Sequence, residues 1–346
     1  MEKPAVVLSE SVLHEAMLRR LHRRAVSSGR IVVPAVPGML EDYVAMCDRA
    51  FAAIGVHFTP EQLERLREVL EGQLAEAFAA SPRSDIVITY DSPTGLTVDY
   101  HVHAHWASLD QAYDNWVATR EAPYFGTEPD ARVLALAVDA DDAAECPVLD
   151  VGAGTGRNSL ALARRGHPVD AVEMAPKFAE SLRLEAAREG LALRVLERDV
   201  FATIGDLRRD YGLIVVSEVT SDFRTQDQLR AVFEIAAHTL APGGRLVVNV
   251  FVSRVGYTPD AATRELGQQA YTGMYTPAEV AAACNGLALE LVSDESVYDF
   301  EKAHLPAAAW PPTSWYEGWV SGQDVFDVPR EDSPIEMRWL VYQKLN

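Results

Sequence analysis

Apolar positions recur at two different periods along this chain, and the switch between them divides it. In the first stretch the period is three to four residues. Leu63, Leu66, Leu70, Leu74 and Phe78 mark one face of a helix. Thr59 can cap that helix, Pro60 takes its first position and Gln62 completes a capping box. Upstream, the pattern predicts a helix from about Ser9 to Ser28, a break at Pro34 and Pro37, and a second helix from about Met39 to Ile54. Period two then takes over. DIVITY (85–90) and LTVDYHVHAH (96–105) read as two strands joined by a turn at Ser92-Pro93-Thr94-Gly95. A helix near Leu109 to Thr119 and a loop from Pro123 to Pro129 follow.

From about Arg132 the chain alternates strand and helix. Strands are predicted at 147–151, 168–173, 193–198, 212–217 and 245–252, with helical segments near 157–165, 177–188, 202–208 and 225–240. This alternation implies a doubly wound α/β domain, with a parallel sheet covered by helices on both faces. A helix capped by Thr276 with Pro277, then strands near 287–293 and 335–343, complete it. The expected organisation is a helical and β-hairpin extension over 1–130, shaping an acceptor site, and an α/β domain over 131–346 with a lid-like insert at 300–333.

The 346 residues are 48% hydrophobic and 24% charged, the balance of an ordinary globular protein. No run of 18 apolar residues is present, so no membrane span is expected. The first residues lack an apolar signal core, and Cys47, Cys146 and Cys284 form no disulfide or zinc framework, so a cytoplasmic location is expected. A net charge of −20 argues against nucleic acid or an anionic membrane as partner.

The chemistry concentrates in VLDVGAGTGRNSLALA, Val148 to Ala163. A buried strand ends at Asp150, Gly152, Gly154 and Gly156 form a tight turn, and a helix opens at Asn158. Such a turn lets backbone approach a ligand where a Cβ would collide. A dinucleotide fingerprint needs G-x-G-x-x-G, but the third glycine falls on Arg157 in one register and on Ser159 in the other. An acid at the strand tip would repel a pyrophosphate and suits an ammonium group and hydroxyls.

This stretch resembles the first motif of class I S-adenosylmethionine-dependent methyltransferases, and its continuation is similar to that of small-molecule methyltransferases of the tellurite-resistance type. The resemblance covers residues 130–255 and implies a Rossmann-like fold with a seven-stranded, mostly parallel sheet. It implies S-adenosylmethionine as cofactor, with its methionine part against Asp150, Gly152, Ala153, Gly154, Gly156 and Asn158. Glu173, 23 residues after Asp150, would accept hydrogen bonds from the ribose hydroxyls, with Met174 beside it. Asp199 would meet the adenine amino group, Val200 and Phe201 would pack on the ring, and Ser217 would complete the site. No metal is assigned.

The fourth strand, YGLIVVSEVTSDF, runs into the place where this family positions its acceptor, which implicates Glu218 and Asp222. No Asn-Pro-Pro-Tyr type motif stands there, which weakens nucleobase methylation. On the strand before Trp106, His101, His103 and His105 share one face with Asp99 and offer further candidate bases; a solvated polar face is the plainer reading. Trp310, Trp315, Tyr316 and Trp319 crowd the late insert, either as a surface for a flat or sugar substrate or as a lid packed on the core. A hydroxyl acceptor needs a general base within hydrogen-bond reach. The layout is also similar to mycobacterial sugar 1-O-methyltransferases of methylmannose polysaccharide synthesis. A small-molecule substrate, such as a sugar, is therefore the expected partner. The alternatives are another natural product, a protein side chain, or a non-catalytic binding module.

Overall fold

The computed structural model describes residues 10–22, 24, 26–93, 97–107, 117–119, 123–138 and 142–346. The chain divides into two compact units, Met1–Ala112 and Tyr113–Asn346.

In the first unit three antiparallel strands, β1 (Ser27–Pro34), β2 (Asp85–Ser92) and β3 (Asp99–His105), lie in the order β1-β2-β3. The helices Leu40–Ala53 and Pro60–Ala80 supply Phe51, Leu66, Leu70 and Leu74, which pack with Ile86 and Ile88 of β2. The capping box at Thr59 forms as its sequence requires, with the hydroxyl accepting from the Gln62 amide and the Gln62 side chain accepting from the Thr59 amide. One expectation is corrected here. The first helix stops at His22, and residues 27–34 form a strand. In SSGRIVVP, Ile31 and Val33 face the core in alternation, and Pro34 ends the strand. The expected two-stranded hairpin is therefore a three-stranded sheet. Thr94 and Gly95 of its turn, and most of the expected helix 109–119, lie outside the described residues.

The second unit holds β4 (Val148–Val151), β5 (Val169–Glu173), β6 (Leu193–Glu197), β7 (Tyr211–Val216), β8 (Leu240–Ser253), β10 (Leu289–Ser296) and β11 (Ile335–Lys344), in the order β10-β11-β8-β7-β4-β5-β6. A two-residue strand, β9 (Met274–Tyr275), pairs parallel with β8, so the sheet has eight strands rather than seven. The pairs among β4 to β8 are parallel, and β11 is antiparallel to β8 and β10. At the β10–β11 edge the register shifts between Leu291 and Ser293.

The inner strands are buried on both faces, which is why they read as unbroken apolar runs. Leu149, Ile214, Val216, Leu246 and Val248 face one core. Val148, Leu213, Val215, Val247 and Phe251 face the other. The segment 202–208, expected to be a helix, forms two short 3-10 turns, Val200–Ala202 and Ile204–Asp206. Asp199 caps the first, the Thr203 hydroxyl bonds back to the Val200 carbonyl, and Gly205 weakens continuation. The chain leaves β4 toward β5 and β6, then returns to β7 on the other side of β4. That reversal opens a crevice at the carboxyl ends of β4 and β7.

One side chain secures the entry to this sheet. Glu301, in the helix Val297–His304, is fully buried. Its carboxylate accepts from the backbone amides of Ala131 and Arg132, at 2.7 and 3.1 Å, and from Trp339 Nε1 at 3.0 Å. It thereby caps the helix Ala131–Val138 from 170 residues away. Glu301→Ala leaves these donors without their acceptor. Urea unfolding of this variant is expected to show a loss of about 3 kcal/mol or more, and a loss under about 1 kcal/mol would contradict the capping role.

Candidate functional site

The glycine loop follows β4. The carboxylate of Asp150, buried at its tip, accepts a hydrogen bond from the Ser159 hydroxyl at 2.5 Å. Gly152, Gly154 and Gly156 have φ of +70°, +56° and +95°, the left-handed region that only glycine enters freely. The loop is also crowded. A Cβ on Gly152 would stand 2.3 Å from Val219 Cγ2, and one on Gly156 would stand 2.4 Å from Leu182 Cδ1. Phe125 lies over Gly154, with its ring 3.3 Å from the position of a Cβ there. Ala153 is buried beneath the loop against Leu160 and Leu182.

Glu173 ends β5 beside this loop and is buried. Its Oε2 accepts from the Gly154 amide at 2.7 Å, and its Oε1 accepts from the Ala175 amide at 2.7 Å. The acid thus pins the glycine loop to the turn after β5. Met174, next to it, is 41% exposed. Asp199 is exposed and caps its own turn through the Phe201 amide, 2.8 Å away. Val200 is buried, and the Phe201 ring packs on Phe223 at 5.7 Å.

A second group of residues meets on the other side of the crevice. Arg157, in the first turn after the glycine loop, forms ion pairs with Asp130 at 2.8 Å and with Glu218 at 2.6 Å. Asp130 also receives Asn158 Nδ2 at 2.8 Å and the Ser217 hydroxyl at 2.7 Å, while its own amide donates to Asn158 Oδ1. Two of the sequence candidates, Asn158 and Ser217, therefore spend their side chains on Asp130. Glu218 sits at φ +61°, its amide bonded to Asn249 Oδ1 at 2.8 Å. Burial, opposed by Arg157, pushes its carboxyl above the usual carboxylate range. Asp222 is half-buried in the 3-10 turn Thr220–Asp222.

The expected histidines lie on β3 of the first unit. His101, His103 and His105 are exposed and alternate with half-buried Tyr100, Val102 and Ala104. Among the described residues no three His, Cys, Asp or Glu side chains group as a metal site. The late insert packs on the core: Tyr316 and Trp319 are buried, and Trp319 Nε1 donates to the Tyr271 carbonyl at 2.9 Å. Trp310 and Trp315 are half-buried. Sequence reasoning did not single out Asp130, Arg157, Phe125 or Glu301. Arg157 carried one signal, a long cation where a nucleotide loop would place its third glycine.

The donor set fits a cofactor with an ammonium group and vicinal hydroxyls. Two carboxylates, Asp150 and Glu173, stand at adjacent strand tips beside the glycine loop. Burial pushes Asp150 up from 3.8 to about 7, and Glu301 up from 4.5 to about 7. An acid whose folded pKa is raised adds stability below its unfolded pKa, and that stability is lost as pH rises through the folded pKa. These two acids are therefore expected to withdraw stability from the ligand-free protein from about pH 4 to above pH 7. Asp150→Asn should shrink the fall in Tm between pH 5 and pH 8; an unchanged fall would show that Asp150 does not titrate there.

Comparison with known proteins agrees with this geometry. Residues 148–244, which run from the start of β4 into the first residues of β8, match the family model described as "Methyltransferase domain". The chain is 30% identical over 156 residues to a ubiquinone biosynthesis O-methyltransferase of Xylella fastidiosa, covering 42% of this chain and 62% of that protein. It is also 34% identical over 106 residues to Hemagglutinin 1 of Eikenella corrodens, covering 31% of this chain and 35% of that protein. The chain thus spans less than two thirds of the length of these curated relatives. Among solved structures, geranyl diphosphate C-methyltransferase from Streptomyces coelicolor A3(2), in complex with Mg2+, geranyl diphosphate and S-adenosyl-L-homocysteine, superposes with a TM-score of 0.50 at 14% identity, covering 69% of this chain and 94% of that one. That likeness shows the shared fold. With the glycine loop and the strand order, this match makes residues 148–244 similar to a methyltransferase domain, on the fold that the solved methyltransferase shares.

Proposed function

We propose that the protein methylates a hydroxyl of a small polar acceptor, with a sugar or oligosaccharide as the class and 1-O-methylation of a mannoside as the sharpest form. The observation that carries the reading is the carboxylate pair at the tips of β4 and β5, with Glu173 holding the bare glycine loop in place. The cofactor supplies an electrophilic methyl group on a sulfonium. Asp150 would favour its ammonium group. Glu173 accepts from two backbone amides and would offer its carboxylate to a ribose hydroxyl. Met174, Asp199, Val200 and Phe201 would line the adenine.

On the acceptor side Glu218 is the proposed proton acceptor. Its raised affinity for protons suits a base, and Arg157 fixes its position. Asp222 is the further candidate for that role. The half-buried Trp310 and Trp315 offer apolar faces of the kind that sugar rings pack against. Among the described residues no helix is long and apolar enough to cross a membrane. The three cysteines are free, which supports a cytoplasmic site of action.

Calorimetric titration of S-adenosylmethionine, S-adenosylhomocysteine and NAD tests the cofactor half. The first two are expected to bind and NAD is not; tight NAD binding would sink the reading. Gly152→Ala drives a methyl group into Val219 from a left-handed backbone, and should weaken S-adenosylhomocysteine binding by about tenfold or more, roughly 1.4 kcal/mol. Methyl transfer to mannose or to a mannobiose with a free reducing end, followed as S-adenosylhomocysteine release, tests the acceptor half: turnover is expected, and none with either would overturn the sugar reading.

A further inference from the structure

The buried charges around Arg157 leave one polar atom unspent. Tyr316 opens the short helix Tyr316–Val320 and is 1% exposed, yet its hydroxyl makes no hydrogen bond with any described residue. A buried phenol ordinarily has a partner. The ring has little freedom to find one, because Trp310 meets it edge-on at 5.8 Å, Trp315 lies at 6.1 Å and Trp319 at 6.4 Å. Its electrostatic neighbours are Asp130, Glu301, Glu218 and Arg157.

The sign of that surrounding charge is the second observation. Asp130, Asp150, Glu218 and Glu301 form one electrostatic neighbourhood with Arg157 as its strong cation, and Glu173 borders it through Asp150. An anion placed there finds Arg157 already paired with Asp130 and Glu218, and meets repulsion from whichever of these buried acids are ionised. A neutral polyol or an ammonium compound meets none.

We propose that Tyr316 is an acceptor-positioning residue, its hydroxyl donating to an oxygen of the methyl acceptor beside Glu218, and that the site admits neutral or cationic hydroxyl compounds rather than phosphorylated or carboxylated ones. This rests on the methyltransferase reading above. Burial and the neighbouring carboxylates push the phenol well above its ordinary 10, so it stays a donor across the working pH range.

The test is Tyr316→Phe in the full chain, with Tyr211→Phe as reference, because the Tyr211 hydroxyl donates to Asp170 at 2.5 Å. The Tm of Tyr316→Phe is expected to hold or rise, while that of Tyr211→Phe falls. Affinity for S-adenosylhomocysteine should be unchanged in Tyr316→Phe. With mannose and choline as probes against mannose 6-phosphate and glucuronate, turnover should be confined to the first pair. In Tyr316→Phe the acceptor kcat/KM should drop about tenfold or more, carried mainly by KM. The proposal is overturned by a Tm loss matching that of Tyr211→Phe, by unchanged acceptor constants, or by equal turnover of mannose 6-phosphate. Failure to turn over either favoured probe, in protein that binds S-adenosylhomocysteine, also overturns it and leaves the cofactor reading standing. Failure of the wild-type protein to bind S-adenosylhomocysteine removes that reading and the proposal with it.

Discussion

A buried guanidinium must be met by carboxylates, and Arg157 obliges three separate stretches of chain to meet it. Asp130 comes from the segment before the sheet, Glu218 from the end of β7, and Arg157 itself from the helix behind the glycine loop. Removing one partner of such a cluster leaves the others charged and dry, which costs more than the pair contributes when whole. The cluster therefore defines geometry more than it adds stability. It holds Asn158 and Ser217 against Asp130, and so fixes the two walls of the crevice relative to each other.

The glycine loop shows the complementary constraint. Its neighbours, Val219 from the β7 side and Phe125 from the preceding segment, stand where side chains on the loop would have to go. Glu173 then locks the bare loop through the Gly154 amide. Glycine is needed here both for the left-handed backbone and for the space, so either requirement alone would resist substitution. Pinning by Glu173 means that a ligand meets a loop already ordered, which lowers the entropy lost on binding.

What the sequence made legible was local. The capping box at Thr59 and the cap at Thr276 form as written, because every participant lies within three residues. The apolar runs of β4, β5 and β7 fall where expected, because two-sided burial leaves no other pattern. Strand β1 was missed because its partner lies more than fifty residues away in β2, and residues 27–34 carry little of their own signal. Asp130 and Glu301 were missed for the same reason. Nothing near Asp130 marks a buried acid, and Glu301 finds its amides 169 and 170 residues away. Ser217 and Asn158 were read as facing the cofactor from their register, while their side chains turn to an acid whose location only the fold discloses.

The shift in register between Leu291 and Ser293 bears on what the outer edge of the sheet offers to another strand. Strand β10 is an outer strand of the sheet, and it carries Leu291 and Val292 each 47% exposed. A flat strand of that character is a template for the edge of another molecule. The bulge breaks its flatness, and Glu290, Asp294 and Glu295 set charged groups along it, with Asp294 and Glu295 held in ion pairs by Arg338 and Arg132. At a net charge of −20 the chain extends that defence over its whole surface. The outer edge of the sheet is thus bent and charged where pairing with another strand would begin.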